Sequence, residues 1–71
     1  METIKLRETD DFIKLGQALK KACLEGSGVD AKMDIQAGLV KVNGEVEVRR
    51  GRKLYDGDTF EYDGVQVKIE K

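Results

Sequence analysis

A chain of 71 residues with one cysteine and no histidine is at most one small domain. It excludes histidine acid–base chemistry and an internal disulfide framework, and it leaves almost no route to a zinc cluster. Such a domain buries only about 60% of the surface its unfolded chain exposes, so a deep catalytic cavity is excluded as well. The net charge of −1 hides an uneven distribution: residues 1–31 carry 5 cations and 6 anions, residues 32–53 carry 6 and 3, and residues 54–71 carry 2 and 5. The middle of the chain is thus basic and its end acidic, and local patches of this kind set where a polyanion docks. No apolar run approaches the roughly 18 residues of a membrane span. The opening METIKLRETDD lacks the basic start and apolar core of a signal peptide, so a cytoplasmic location is expected.

Residues 2–7, ETIKLR, alternate in polarity with Ile4 and Leu6 on one face, the pattern of a short half-buried strand. Thr9, Asp10 and Asp11 are N-cap candidates for a helix over about 11–23, in which Phe12, Leu15, Leu19, Ala22 and Cys23 recur at helical spacing. Cys23 reads as a small core residue on that helix. Gly16 weakens the helix by roughly 1 kcal/mol relative to Ala, which suggests close packing against a neighbour. Glu25-Gly26-Ser27-Gly28 is a turn, and Ser27 is a candidate N-cap for a second helix over about 28–37 with Ala31 and Ile35 facing the core. Lys32 and Gln36 are i, i+4 neighbours away from that face, with Gly28 four residues before Lys32. A bare helix N-terminus beside a lysine can hold a phosphate. Gly38 is placed to end the helix in a left-handed conformation.

The period then becomes two. Val40 and Val42 lead into Asn43-Gly44, the strongest short hairpin signal, and Glu45–Val48 returns as the partner strand. Arg49 to Lys53 is expected to be an exposed connection, with Gly51 allowing close backbone approach. Tyr55-Asp56-Gly57-Asp58 is a turn, and Thr59–Tyr62 and Val65–Ile69 form a second hairpin around Asp63-Gly64. The order is strand, helix, helix and four short strands. The fold class is α+β, with two adjacent helices packed on a small, mostly antiparallel sheet of about five short strands. On the residues alone, the run Arg49, Arg50, Arg52 and Lys53 is equally a solvated loop and a phosphate contact. Tyr55, Phe60 and Tyr62 stand among Asp56, Asp58, Glu61 and Asp63, which favours core or edge packing over base stacking.

The stretch from Phe12 to Asp58 resembles the αL RNA-binding motif, the domain type named after the fourth protein of the small ribosomal subunit. The resemblance is carried by SGVDAK at 27–32, IQAG at 35–38, VKVNG at 40–44 and Gly57-Asp58. It covers about two thirds of a single domain spanning 1–71, so the chain looks like the small stand-alone bacterial proteins of that superfamily. The commoner pattern places one arginine directly after the helix-2 serine and another after its alanine, where this chain has Gly28 and Lys32. Lysine meets phosphate as a point charge, without the bidentate geometry of arginine.

The resemblance implies non-catalytic binding of structured RNA, ribosomal RNA or a ribosome assembly intermediate, by phosphate and shape recognition. The implied RNA-binding residues are Ser27, Gly28, Lys32, Gln36, Lys41, Arg49, Arg50, Arg52 and Lys53. Whether Lys14, Lys20 and Lys21 join them is left open. No catalytic residue, metal ligand or cofactor is expected, nor a membrane or small-molecule partner, and the chain is expected to be a monomer. The alternative is a small protein–protein interaction adaptor without direct RNA contact. A sulfur carrier is disfavoured, because the chain ends Val67-Lys68-Ile69-Glu70-Lys71 rather than in Gly-Gly.

Overall fold

The computed structural model describes residues 2–23 and 31–71, with Cys23 described by its backbone only. Its elements are strands β1 (Glu2–Lys5) and β2 (Phe12–Lys14), helices α1 (Leu15–Cys23) and α2 (Ala31–Gln36), and strands β3 (Val40–Val42), β4 (Glu45–Val46), β5 (Lys53–Tyr55), β6 (Thr59–Tyr62) and β7 (Val65–Glu70). Five strands form one sheet in the order β1-β7-β6-β3-β4, and β2 pairs with β5 in a separate two-stranded ribbon. All pairs are antiparallel except β1 with β7, where Ile4 lies beside Ile69.

One face of the sheet carries Ile4, Val40, Val42, Phe60, Val67 and Ile69, all buried. Leu15, Ala18 and Leu19 of α1 and Ala31 and Ile35 of α2 close over it, with Leu54 from β5. Fully burying a side chain such as Phe60 or Leu19 contributes about 1.5–3 kcal/mol, and these residues form one contiguous core. The opposite face of the sheet is polar by alternation: Lys41 stands opposite Glu61, and Glu61 opposite Gln66.

The turn chemistry follows the sequence closely. Asn43 and Gly44 have φ of 51° and 86°, and Asp63 and Gly64 have φ of 51° and 78°, as two-residue hairpins of type I′ require. Gly38, at φ 82°, ends α2: its N–H donates to the Ile35 carbonyl at 3.0 Å, and the Leu39 N–H donates to the Asp34 carbonyl at 3.1 Å. That pair of bonds is the Schellman pattern.

Three expectations need correction. The first helix begins at Leu15, because residues 12–14 are β2, whose partner β5 offers Phe12, Ile13 and Lys14 a ladder to Tyr55, Leu54 and Lys53. Asp10 and Asp11 therefore do not cap α1. Asp10 closes a turn onto the Arg7 carbonyl at 2.9 Å, and the Asp11 carboxylate accepts from Lys71 Nζ at 2.9 Å. Strand β4 ends at Val46 rather than Val48, and Lys53 belongs to β5 rather than to a connection. The turn expected at 25–28, the start of the second helix and the Cys23 side chain lie outside the described residues.

Candidate nucleic-acid interface

The basic run leaves β4 and crosses the start of α1. An α-helix begins with backbone N–H groups that have no partner within the helix. Here the N–H groups of Leu15 and Gly16 donate to the carbonyls of Arg52 and Arg50, at 2.8 and 3.0 Å. The turn is closed by Arg52 N–H to the Arg49 carbonyl at 3.2 Å. The backbone of the run thus caps the helix, and its side chains are left for the surface.

Gly16 makes this approach possible. A Cβ at that position would lie 2.5 Å from Arg50 Cγ and 3.1 Å from its Cδ. The close neighbour implied by a glycine inside the helix is therefore the Arg50 side chain.

Glu47 organises the remaining arginines. It is the one buried charged residue among those described, at 7% exposure. Its Oε1 accepts from Arg49 N–H and Nε, both at 3.0 Å, and its Oε2 accepts from Arg49 Nη2 at 3.1 Å and Arg52 Nη1 at 2.8 Å. Hydrogen bonds from Arg49 hold this carboxylate down at about 2, against the opposing effect of its burial, with Arg52 adding to them. The same contact raises the Arg49 pKa. The Arg49 side chain is still 72% exposed and that of Arg52 35% exposed, so the carboxylate holds both guanidiniums from beneath. Sequence reading missed Glu47, although the register contains it. The two-residue turn pairs Val42 with Glu45, so continuing the ladder sets Glu47 against Val40, on the core side. The Glu47 N–H to Val40 carbonyl bond, 3.0 Å, is that continuation.

The other expected site residues distribute as follows. Arg50 and Lys53 are exposed and have no carboxylate partner among the described residues. Lys32 and Gln36 are exposed on α2, away from the buried Ala31 and Ile35. The end of α2 lies against β4, where a Cβ on Gly38 would meet Val46 Cγ1 at 3.6 Å. Lys41 is exposed on the outer face of the sheet beside Glu61, so the structure separates it from the helical side. Ser27 and Gly28 lie outside the described residues. Of the three open lysines, Lys14 faces Lys53 across the β2–β5 ladder, and Lys21 lines a groove shared with Asp10 and Asp11. Among the aromatics, Phe60 is buried, and Tyr62 donates from its hydroxyl to Asp34 Oδ2 at 2.6 Å. Tyr55 is 48% exposed.

These features define a class: an α+β domain with two adjacent helices on a mostly antiparallel sheet, and an arginine-rich turn joined by hydrogen bonds to the first helix. The chain belongs to the S4 domain family, whose profile matches residues 4–70. It is 48% identical over 54 residues to the protein named "Probable ribosome maturation protein RlbA" of Bacillus subtilis (strain 168), covering 76% of each chain. It is 37% identical over 57 residues to YbcJ of Escherichia coli (strain K12), covering 80% of this chain and 81% of that one. The solution structure of YbcJ, described as revealing an αL motif involved in RNA-binding, superposes with a TM-score of 0.68 at 34% identity. That match covers 100% of this chain and 89% of YbcJ. The architecture is therefore that of the αL motif. Among the described residues, no helix is long and apolar enough to cross a membrane.

Proposed function

We propose that the chain is a non-catalytic, cytoplasmic binder of structured RNA, and that its target is ribosomal RNA or a ribosomal subunit during assembly. One observation carries this reading. The turn at 49–52 has two of its carbonyls, those of Arg50 and Arg52, taken up by α1, while Glu47 holds two guanidiniums side by side at the surface. A free arginine loses up to about 2 kcal/mol of rotamer entropy when it is fixed on a ligand. Here part of that ordering precedes binding. Arg50, Lys53 and Lys32 add positive charge, and Gln36, Ser27 and Gly28 complete the proposed surface. Lys41, beside Glu61 on the other face, contributes long-range attraction at most. A-form RNA hides its base edges from side chains, so the contacts are to phosphates and shape. The name of RlbA and the motif of YbcJ support the same reading.

Roughly four to six phosphate contacts give a slope of log K against log salt of about −3 to −5. Co-sedimentation with ribosomal subunits across a salt series measures it. Changing Arg49, Arg50, Arg52 and Lys53 together to Glu should abolish binding. A slope near zero would sink the proposal.

A second reading, a protein adaptor, is favoured by one observation. Val46, Val48 and Leu39 are exposed around the short edge strand β4, at 57%, 51% and 56%. Subunit binding that survives the four-residue charge reversal would select it.

A further inference from the structure

The β2–β5 ribbon leads directly into the basic turn, because the ladder that pairs Lys14 with Lys53 continues as the bond from Leu15 N–H to the Arg52 carbonyl. In the middle of the ribbon, Ile13 and Leu54 face the core. By alternation, Phe12, Tyr55, Lys14 and Lys53 share the outward face. The Phe12 and Tyr55 rings lie 5.8 Å apart, tilted by 51°, and Lys53 Nζ sits 4.9 Å from the centre of the Phe12 ring. The Tyr55 ring remains 48% exposed.

Like charges directly opposite on a ladder are mildly destabilising, and the Phe12 ring under Lys53 Nζ offsets only one of the two, so Lys14 and Lys53 together form a small site of positive potential. Among the described residues no carboxylate forms an ion pair with either lysine. Asp11 is held by Lys71 Nζ, Asp56 accepts from the Lys71 N–H, and Asp58 accepts from the Tyr55 N–H and from Asn43 Nδ2. Two ammonium groups with no carboxylate partner among the described residues, one of them over the Phe12 ring, stand beside an exposed ring and adjoin the turn proposed to bind phosphate; together they match one chemistry, a nucleotide with its base unstacked.

We propose that this outward face is a second subsite, which takes an unpaired nucleotide flanking the RNA helix. The base stacks on Tyr55, and Lys14 and Lys53 hold the adjoining phosphates. The inference rests on the RNA-binding reading above and deepens it by naming single-stranded flanks as part of the target.

The test compares a blunt RNA hairpin with the same hairpin carrying a flank of about three unpaired nucleotides at its 5′ or its 3′ end, because each stacked base contributes measurably to affinity. Fluorescence anisotropy with the full chain should show one flanked hairpin binding about tenfold more tightly, the gain expected for one stacked base. Y55L should lose that gain and leave the blunt hairpin's affinity unchanged, whereas Y55F should keep it. A flank with the same phosphates but no bases should keep only the salt-dependent share that Lys14 and Lys53 supply. Equal binding of blunt and flanked hairpins, or a gain that survives in Y55L, overturns the subsite and leaves the proposed function standing. Failure to bind any hairpin removes the RNA-binding reading, and the subsite with it.

Discussion

Strand β5 lies between two turns that use a carboxylate in different ways. At its C-terminal end, Asp58 accepts from the Tyr55 N–H at 2.8 Å and from Asn43 Nδ2 at 3.2 Å, tying the chain together at an exposed corner. At its N-terminal end, Glu47 reaches across the turn at 49–52 and accepts from the guanidinium groups of two arginines, from a nearly buried position. The first carboxylate holds a backbone N–H and a neutral amide, and the second holds a backbone N–H and two guanidinium charges. Both stabilise the domain, but only the second shapes what a ligand meets. Removing each one separates fold from function.

Glu47→Gln carries the largest expected effect. It keeps the shape and removes the charge that both guanidiniums share. Charge-assisted hydrogen bonds of this kind are worth about 1.5–3 kcal/mol, and the exposure of Arg49 places the loss toward the lower end. The pH dependence distinguishes this loss from simple loosening. The unfolded carboxyl takes up its proton near 4.5 and the folded one near 2, so the unfolded chain binds more protons in that window. The stabilisation is complete above about 4.5 and disappears as the pH falls toward about 2. Urea melts of wild type and E47Q should differ at pH 7 and converge near pH 2. A difference that is independent of pH would rule out the ion-pair account. Affinity for RNA should fall several-fold in E47Q at pH 7, although the substitution removes a negative charge.

Asp58→Ala is the matching change at the other end of β5. It removes two exposed hydrogen bonds, for a loss of about 1 kcal/mol. Affinity for a blunt RNA hairpin should not change, because none of the contacts proposed for the turn at 49–52 depends on that corner, whereas Tyr55, whose N–H Asp58 holds, serves only the unpaired flank. A fall in affinity as large as that of E47Q would mean that the turn at 49–52 responds to any loosening of β5, and that Glu47 has no particular role in holding charge.

The two ends of β5 also differ in how far the sequence discloses them. Local chemistry was legible: Asn43-Gly44, Asp63-Gly64 and Gly38 announced their positive φ values, and the αL pattern announced the arrangement of helices and sheet. What escaped depended on partners distant in the chain. Phe12, Leu15 and Leu19 satisfy a helical period, and only the meeting with Lys53–Tyr55 makes residues 12–14 a strand. The part played by Glu47 was masked because EVEV reads as a partner strand without disclosing which of its faces meets the core. The hairpin register decides it, leaving Val46 and Val48 exposed and Glu47 buried. The expected site residues divide for the same reason. Arg49–Lys53 were legible as a charge run, whereas the separation of Lys41 from them required the pairing of β3 with β6.

The smallest expected effect on stability, from Gly16→Ala, tests the comparison most sharply. Replacing glycine by alanine gains about 0.8–1 kcal/mol of helix propensity in a helix interior, and less at Gly16, the second residue of α1. Against this, the new methyl would sit 2.5 Å from Arg50 Cγ, well inside contact distance and close to the root of that side chain. Arg50 must therefore swing away, and its backbone, whose carbonyl accepts from the Gly16 N–H at 3.0 Å, resists following. The two effects oppose each other, so the thermal midpoint of G16A should move little in either direction. RNA affinity should nevertheless fall, because Arg50 no longer lies across the start of α1. A stabilised variant with unchanged affinity would mean that Arg50 can leave without consequence, and that binding rests on Arg49 and Arg52 above Glu47. Weakened binding at unchanged stability would mean that this glycine is kept in a helix, where it costs stability, for the position it gives one arginine.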